Sequence, residues 1–420
     1  MKSEQQNVSE EDLVAVTGRN TRAKTSSNGG GEPIPVDLIV EICSRLPTKS
    51  ISRCRCVSKL WASIPRLPYF TELFLTRSLA RPKLLFACRK DSHVFFFSSP
   101  QPHQILADDN NSSVLAASYH MKIPNYHKCI YLIRSSVRGL MLVEDMRGSE
   151  GKERKVSVIC NPNTGQSVTL PKLKTRKRFG MRSFLGYEPI EKLYKVLSMA
   201  WGVRSSGSED HQVLTLGTGG ESSWTRVECC IPHSVNEGYY VDHVCIDGVL
   251  YYQAFHTSSR DYIIVLFDLR SEKFRFVENS RDPLNVSLFC WSPLINYNGK
   301  LGSLGTGIHP RSTNIRLRVL EDAEKHEWSE HTYVLPASWT NTVGGPYRGL
   351  SKVVGLSRSN EIVFLNFCKP RSVYILYYST ERNAIRSVEI QGLEAFKGYS
   401  IYTYLGHVED VNVKLIEGFL

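Results

Sequence analysis

Long apolar runs are missing from this 420-residue sequence. A membrane-spanning helix needs about 18 or more consecutive apolar residues, and no segment provides them. The opening stretch MKSEQQNVSEEDLVAV lacks the apolar core of a secretory signal. The 11 cysteines are an odd number and are spread from Cys43 to Cys368. We therefore expect a reducing compartment, the cytoplasm and/or the nucleus, and no membrane partner.

Motifs of the common catalytic sites are missing as well. The sequence contains no HExxH metal-binding motif, no GxSxG nucleophile turn and no GxxxxGK(S/T) phosphate loop. The glycine-rich LGSLGTG at 301–307 lacks the lysine of a phosphate loop, so we expect a turn between strands. A Cys/His nucleophile built from Asp242, His243 and Cys245 has no further group to orient it. We therefore predict no catalytic residue, no metal site and no cofactor.

Positive charge exceeds negative charge, with 52 Lys and Arg against 41 Asp and Glu. A net charge of +11 suits an acidic or phosphorylated partner, but it is also typical of a solvated surface. One basic run, KLKTRKRF, contains Lys172, Lys174, Arg176, Lys177 and Arg178. Three interpretations stay open for it: a solvated loop, a nuclear-import signal, or a contact for an anion or a phosphorylated target. Nucleic acid is disfavoured as a partner, because no aromatic residues interleave with the basic ones at an RNA-binding spacing.

The N-terminal part divides into a tail and a helical segment. Residues 1–32 are polar and end in a Gly/Ser-rich stretch, which predicts a disordered tail. In the following PIPVDLIVEICSRLP, Pro35 suits a first helical turn and Pro47 ends the helix. At about 100° per residue, the apolar residues of this helix share one arc of about 140°. They are Leu38, Ile39, Ile42, Cys43 and Leu46.

A second helix is predicted from Thr48, as its N-cap, to about Ser63, and a third in PRLPYFTELFLTRS. The predicted apolar side of the second helix consists of Ile51, Cys54, Val57 and Trp61. Cys54 and Cys56 are two residues apart, so on a helix they point in nearly opposite directions and cannot bind one ion. We expect Cys54 to be buried and Cys56 to be exposed.

In order and spacing these residues resemble an F-box, whose motif has a Leu-Ile pair, a Leu-Pro pair and a final Val-Ser-Lys-x-Trp. The resemblance implies docking onto the Skp-type adaptor of a cullin–RING ubiquitin ligase. By position, nine residues would form the adaptor contact or its supporting core. They are Pro35, Leu38, Ile39, Ile42, Leu46, Pro47, Ile51, Val57 and Trp61. The alternative is a helical cap packed on the rest of the protein.

After residue 81 the sequence changes to short apolar and aromatic runs broken by turn residues, which predicts an all-β region. Five strand–turn–strand segments have turns centred near Gly165, Gly220, Ser271, Glu324 and Arg382. They recur about every 54 residues, close to the roughly 50 residues of a kelch-type propeller blade. A sixth, irregular unit is expected around PKLLFACRKDSHVFFFSS, and the late segment YSIYTYLGHVEDVNVKL is expected to complete the first blade. A large β-sandwich is the competing fold.

The same region resembles the plant F-box-associated domain, in NPNTGQSVTLP, GYEPIEKLYKVLSM, CIDGVLYYQAF, LFDLRSEKFRFV and LINYNGKLGSL. The predicted fold is therefore α+β in separate domains: a three-helix F-box at 33–80 and an all-β, kelch-like propeller at 81–420. The resemblance implies a substrate receptor, not an enzyme, of a Skp–cullin–F-box ubiquitin ligase, with a protein target on the β domain. The alternative is a propeller that binds a glycan, RNA or protein outside any ligase.

Overall fold

The computed structural model describes most of the chain after the predicted tail. The described residues are 34–102, 113–124, 133–147, 154–175, 180–201, 210–217, 223–235, 243–259, 261–278, 292–306, 313–339, 352–366, 373–396 and 398–411. The tail predicted at 1–32 lies outside them. Two compact units divide between Phe74 and Leu75. No helix among these residues is long and apolar enough to span a membrane.

Four short helices form the N-terminal segment: α1 (Val36–Arg45), α2 (Thr48–Cys54), α3 (Lys59–Ser63) and α4 (Pro68–Ala80). Pro35 stands directly before α1, where its missing N–H group leaves no hydrogen bond unmade. The predicted first helix is thus confirmed within one residue at its start, and α4 contains most of the predicted third.

The second predicted helix is wrong in one respect, because the chain leaves the α-helical path at Arg55–Val57. The N–H groups of Cys56 and Val57 bond to the carbonyls three residues earlier, which tightens and ends α2. Ser58 then caps α3, its hydroxyl accepting from the Trp61 N–H at 3.3 Å. Thr48 is the first helical residue of α2 and not its N-cap, a position that Pro47 takes.

The rest of the described chain is β-structure. In chain order the first strands are β1 (Lys83–Lys90), β2 (His93–Pro100), β3 (Ser113–Ala116), β4 (Ser118–Pro124), β5 (Ile133–Val137), β6 (Leu140–Arg147), β7 (Arg154–Asn161), β8 (Gln166–Thr169), β9 (Gly180–Glu188), β10 (Leu193–Trp201), β11 (Asp210–Leu216), β12 (Thr225–Val227) and β13 (His233–Ser234). The others are β14 (His243–Ile246), β15 (Val249–His256), β16 (Tyr262–Asp268), β17 (Lys273–Glu278), β18 (Leu294–Tyr297), β19 (Lys300–Thr306), β20 (Asn314–Asp322), β21 (Glu327–Val334), β22 (Lys352–Leu356), β23 (Ile362–Asn366), β24 (Val373–Ser379), β25 (Ala384–Gln391) and β26 (Ile401–His407).

These strands form six sheets, the blades of a β-propeller. Blade 1 has the order β26-β1-β2-β4, and blades 2 and 3 contain β5–β8 and β9–β12. Blade 4 contains β13–β17, blade 5 β18–β21, and blade 6 β22–β25 with β3. The inner strands β26, β5, β9, β14, β18 and β22 each have Cα atoms within 8 Å of the next, and β22 returns to β26. A closed ring of separate sheets confirms the propeller and excludes the sandwich.

The repeat read from the sequence corresponds to the outer hairpin of successive blades. Turns at Gly165, Ser271, Glu324 and Arg382 join the third and fourth strands of blades 2, 4, 5 and 6. The predicted turn at Gly220 lies outside the described residues. The predicted glycine-rich turn at 301–307 is wrong over its described part, since residues 301–306 belong to β19. Small residues there fit beneath Ile295 and Tyr297, whose side chains a Cβ at Gly302 would meet.

Blade 1 is completed from both ends of the domain, as predicted. β26 pairs antiparallel with β1, for example Ala87 opposite Tyr402. The insertion before β4 departs from the blade pattern, because β3 pairs in parallel with β25 of blade 6. The first and last blades are therefore joined at their inner edge by β26 and at their outer edge by β3, which leaves neither seam open to another chain.

Residues after β26 pack against blade 2. The side-chain amide of Asn161 donates to the Asp410 carbonyl at 3.0 Å, and His407 lies 3.0 Å from the Ser136 hydroxyl through Nδ1. Gly139, in the turn between β5 and β6, has φ +89° and lies under this segment. A Cβ at Gly139 would stand 2.9 Å from the Asp410 Cβ and 3.0 Å from the Val408 carbonyl oxygen.

We predict that Gly139→Ala destabilises the propeller by about 2–4 kcal/mol, since it adds a steric conflict to a strained backbone. Gly165→Ala is the matched control, because Gly165 also has positive φ (+77°) but nothing within 4 Å of the position that an added methyl group would take. It should cost only about 1 kcal/mol. Urea denaturation of the full chain measures the loss of stability in both variants. Equal losses would contradict the close packing of Asp410 and Val408 against Gly139.

Candidate functional site

Apolar side chains are exposed along one side of α1. Leu38 is 54% exposed and Ile42 is 44% exposed, and residues four apart lie one above the other on a helix. Ile34, just before the helix, is 51% exposed. We call Ile34, Leu38 and Ile42 the exposed strip. Single exposed apolar residues are ordinary on a protein surface, whereas a contiguous row of them indicates a binding surface.

The adjacent side of α1 forms the core of the helical unit. Ile39 and Cys43, also four residues apart, are 2% and 0% exposed, and Ile51 of α2 is 2% exposed. The apolar arc predicted on α1 is therefore wider than the core that this small unit can cover. One half of the arc stabilises the fold, and the other half, the exposed strip, is left for a partner.

The structure separates the nine residues predicted for adaptor docking by their exposure. Buried are Ile39 and Ile51, half-buried are Leu46 and Trp61, and exposed are Pro35, Leu38, Ile42, Pro47 and Val57. The prediction that Val57 shares one helical arc with Ile51 is wrong, because the chain leaves the helix before Val57. Which of the exposed residues contact an adaptor stays a prediction.

Charged side chains are also exposed on the helical unit. Asp37 in the first turn and Arg45 in the last turn both complement the dipole of α1, and Arg45 forms an ion pair with Glu41. Both partners of that pair are exposed, so it adds little stability. Exposed cations on the following helices and turns include Lys49, Arg53, Arg55 and Lys59. The helical unit therefore exposes both apolar and basic side chains.

The cysteines of the helices are in different environments. Burial, helped by a hydrogen bond with Cys54, raises the pKa of the Cys43 thiol to about 11. Cys56 is exposed, as predicted, while Cys54 is half-buried where full burial was predicted. Cys54 is only half-buried because α2 ends at this residue. The continuous apolar side of the helix ends there as well.

On the propeller, strand direction assigns every link to one of two faces. Neighbouring strands within a blade are antiparallel, so the links between strands 1 and 2 and between strands 3 and 4 emerge on one face. We call this the turn face. The links between strands 2 and 3 and between successive blades emerge on the opposite face, which we call the connection face.

The described part of the predicted basic run, with Lys172 and Lys174, follows β8 on the connection face. The side chains of Lys172 and Lys174 are exposed. Gln212 holds the backbone of Lys174, accepting from its N–H and donating to its carbonyl, each at 3.2 Å. The other three residues of the run, Arg176, Lys177 and Arg178, lie outside the described residues. Both described lysines are thus presented to solvent from a fixed backbone.

The Cys/His nucleophile considered from the sequence gains no support. Burial raises the pKa of the Cys245 thiol to about 11, which keeps it protonated and unreactive at neutral pH. Its sulfur lies 3.6 Å from the Tyr187 carbonyl. His243 packs on the Phe184 ring with centroids 4.8 Å apart, and Asp242 lies outside the described residues.

A different cluster was missed by sequence reasoning. His211, Cys229 and His233 have ligand-type atoms that all lie within 4.8 Å of one another. The available signal was the Cys-x-x-x-His spacing of Cys229 and His233. The sequence does not identify His211 as a member of this cluster. His211 lies on β11, a separate strand that only the fold brings close to Cys229 and His233.

Comparison with known families gives one match for the helical segment and one for the propeller. The sequence matches the F-box domain over residues 33–73 and the F-box associated beta propeller domain over residues 83–408. F-box protein DOR of Arabidopsis thaliana is 48% identical over 98% of this chain and 100% of its own length. A second F-box protein of the same plant is 46% identical over 99% of both chains. TolB from Acinetobacter baumannii, a solved structure, covers 77% of this chain and 66% of its own with 7% identity and a TM-score of 0.40.

We predict that a thiol reagent at neutral pH labels Cys56 and Cys230 quickly and Cys43 slowly. The raised pKa lowers the thiolate fraction of Cys43 about 100-fold, and its burial slows access further. Mass spectrometry of peptides from the full chain measures each rate, and labelling in denaturant shows that every peptide is detected. Equal rates for Cys43 and Cys56 in the native protein would contradict the described packing of α1.

Proposed function

We propose a function from one premise: this chain belongs to the family of plant F-box proteins that carry an F-box associated beta propeller domain. It is the substrate-recruiting subunit of a Skp–cullin–F-box ubiquitin ligase. The F-box implies a partnership with a Skp-type adaptor and, through it, a cullin. In this proposal residues 33–80 bind the adaptor, and residues 81–420 bind a protein that is to be ubiquitinated.

The observation that carries the proposal is the exposed strip within the matched F-box segment. Leu38 and Ile42 present their side chains to water while Ile39 and Cys43 form the core. Covering apolar surface gains about 25 cal/mol per Å², so a partner with an apolar groove gains most of its affinity here. The exposed cations Lys49, Arg53 and Arg55 favour an acidic rim on that partner and an association that weakens with salt.

The chemical role of the chain is proximity. In the ligase, a target lysine attacks a ubiquitin thioester that another subunit carries, and this chain forms no covalent bond. By binding both the adaptor and the target, it raises the local concentration of the target lysines near the thioester. We propose accordingly that the chain is not an enzyme, in keeping with a family of substrate adaptors.

The connection face is the proposed target surface. Binding residues in propellers are carried by loops that a rigid scaffold positions, and this face has the links between blades. Lys172 and Lys174 make part of it basic, which favours an acidic or phosphorylated target. A nuclear-import role for the run 172–178 is the other function compatible with the exposure of Lys172 and Lys174, and we propose that the protein acts in the cytoplasm, the nucleus or both.

We predict that Leu38→Ala with Ile42→Ala lowers the affinity for a purified Skp-type adaptor by about one to three orders of magnitude. Truncating a central apolar contact costs about 1–2 kcal/mol, and a factor of ten corresponds to 1.4 kcal/mol. Isothermal titration calorimetry with the full chain measures the dissociation constants. Because both side chains are exposed, the circular dichroism and melting temperature should change little.

The matched control is Ile190→Ala with Val334→Ala, which removes two equally apolar and equally exposed side chains from the propeller. Its adaptor affinity should equal that of the wild type. Ile39→Ala is unsuitable as a docking test, since truncating a buried isoleucine costs about 2–5 kcal/mol of stability. Unchanged affinity in the Leu38/Ile42 variant would refute docking through the exposed strip, whereas no adaptor binding by the wild-type chain would favour a propeller that works outside a ligase.

A further inference from the structure

The cluster of His211, Cys229 and His233 joins two segments at the seam between blades 3 and 4. His211 is the second residue of β11, Cys229 lies in the link that leaves β12, and His233 begins β13. All three positions are at the connection-face ends of their strands. The Cys229 sulfur lies 3.8 Å from Nδ1 of His233, and one ligand atom from each residue lies within 4.8 Å of the others.

The distance between the Cys229 sulfur and Nδ1 of His233 is close to that of a metal site. With a Zn–S bond of about 2.3 Å and a Zn–N bond of about 2.0–2.1 Å, a tetrahedral ion separates sulfur from nitrogen by about 3.6 Å. The observed distance of 3.8 Å is slightly longer, and a small side-chain rotation would bring the two atoms to the distance of a metal site. Cys229 and His233 are also separated by three residues, a spacing that zinc sites use between paired ligands.

We propose that His211, Cys229 and His233 bind one Zn²⁺ ion, with its fourth coordination position open to water. One thiolate and two imidazoles form a borderline-soft donor set that selects zinc over the hard cations Mg²⁺ and Ca²⁺. Cys229 is half-exposed, which provides an entry path for the ion.

Protons balance in the binding step. Without metal, the Cys229 thiol donates to the Ile231 carbonyl at 3.3 Å, and Nδ1–H of His233 donates to the same oxygen at 2.9 Å. Burial raises the pKa of the Cys229 thiol to about 11, so zinc must displace one proton, which leaves to solvent. His233 changes tautomer without gaining or losing a proton: Nδ1 takes the ion, and Nε2–H donates to the Tyr252 hydroxyl, 2.8 Å away.

The surroundings suit a metal site of this kind. Burial lowers the pKa of His211 to about 3, so the imidazole is neutral and keeps a lone pair for the ion at physiological pH. Phe274 packs edge-on against His211 with centroids 5.1 Å apart, and Phe276 lies 5.7 Å from His233. These rings exclude water around the ligands, and Tyr252 is the outer partner that fixes the His233 tautomer.

The test is zinc binding by the purified full chain, first stripped with a chelator. We expect one equivalent of Zn²⁺ to bind competitively against a chromophoric chelator. Co²⁺ in its place should give a thiolate-to-cobalt charge-transfer band and the intense visible bands of tetrahedral cobalt. Zinc should also protect Cys229, but not Cys230, from alkylation in the wild-type chain, a measurement that needs no variant.

Three variants locate the ion. Cys229→Ser should lower zinc affinity by about 100-fold or more and abolish the charge-transfer band, whereas Cys230→Ser, the exposed neighbour, should bind as the wild type does. Tyr252→Phe should lower the affinity by about 10- to 100-fold, the usual loss when an outer hydrogen-bond partner is removed.

Two results would overturn the proposal. One is the absence of zinc binding and of Cys229 protection in a folded wild-type chain. The other is equal zinc affinity for the Cys229→Ser and Cys230→Ser chains, which would assign the ion to other cysteines. Neither measurement requires an adaptor or a target, so the zinc site and the ligase function succeed or fail separately.

Discussion

Closure of the ring is the constraint on which the rest of the propeller depends. A four-stranded blade cannot protect its own edges, and the apolar strands of this chain, such as β10, are buried on both faces. Blade 1 receives its inner strand from β26, so the ring forms only after nearly the whole domain has been made. The outermost strands carry the remaining edges, and β21, EWSEHTYV, is largely exposed and charged, which discourages pairing with other chains.

The helical unit is stabilised differently from the propeller. Its core contains few large side chains, chiefly Ile39, Ile51, Ile64 and Phe70, and units this small gain little stability from burial alone. The sequence nevertheless places Leu38 and Ile42 beside that core, where they cost solubility and add nothing to the fold. A surface with this composition is explained by a partner that covers it. In the proposed complex, the adaptor would cover the apolar surface that the helical unit leaves exposed.

Much of this architecture could be predicted from the sequence, because strand and turn patterns are local. The turns at Ser271, Glu324 and Arg382 need only a polar break between two apolar runs, and their period then predicts blades. The sequence does not show the end of α2, because the apolar spacing continues through Val57, whereas the helix ends where the N–H groups of Cys56 and Val57 bond to the carbonyls three residues earlier. A helical arc also cannot show which half faces the core. The cluster at His211 depends on strand pairing across a blade, which no local pattern contains.

The connection face combines the features that a target surface requires. Its links are free to vary, because the pairing of strands within blades does not depend on them. A loop that becomes ordered only on binding loses affinity through its conformational entropy, and fixing it beforehand removes that cost. Gln212 fixes the backbone beside Lys174 by two hydrogen bonds from β11. An ion held by His211, Cys229 and His233 would fix the next link around the ring to the same strand. β11 would thus order two neighbouring links. A target could then bind both links without the entropic cost of ordering them.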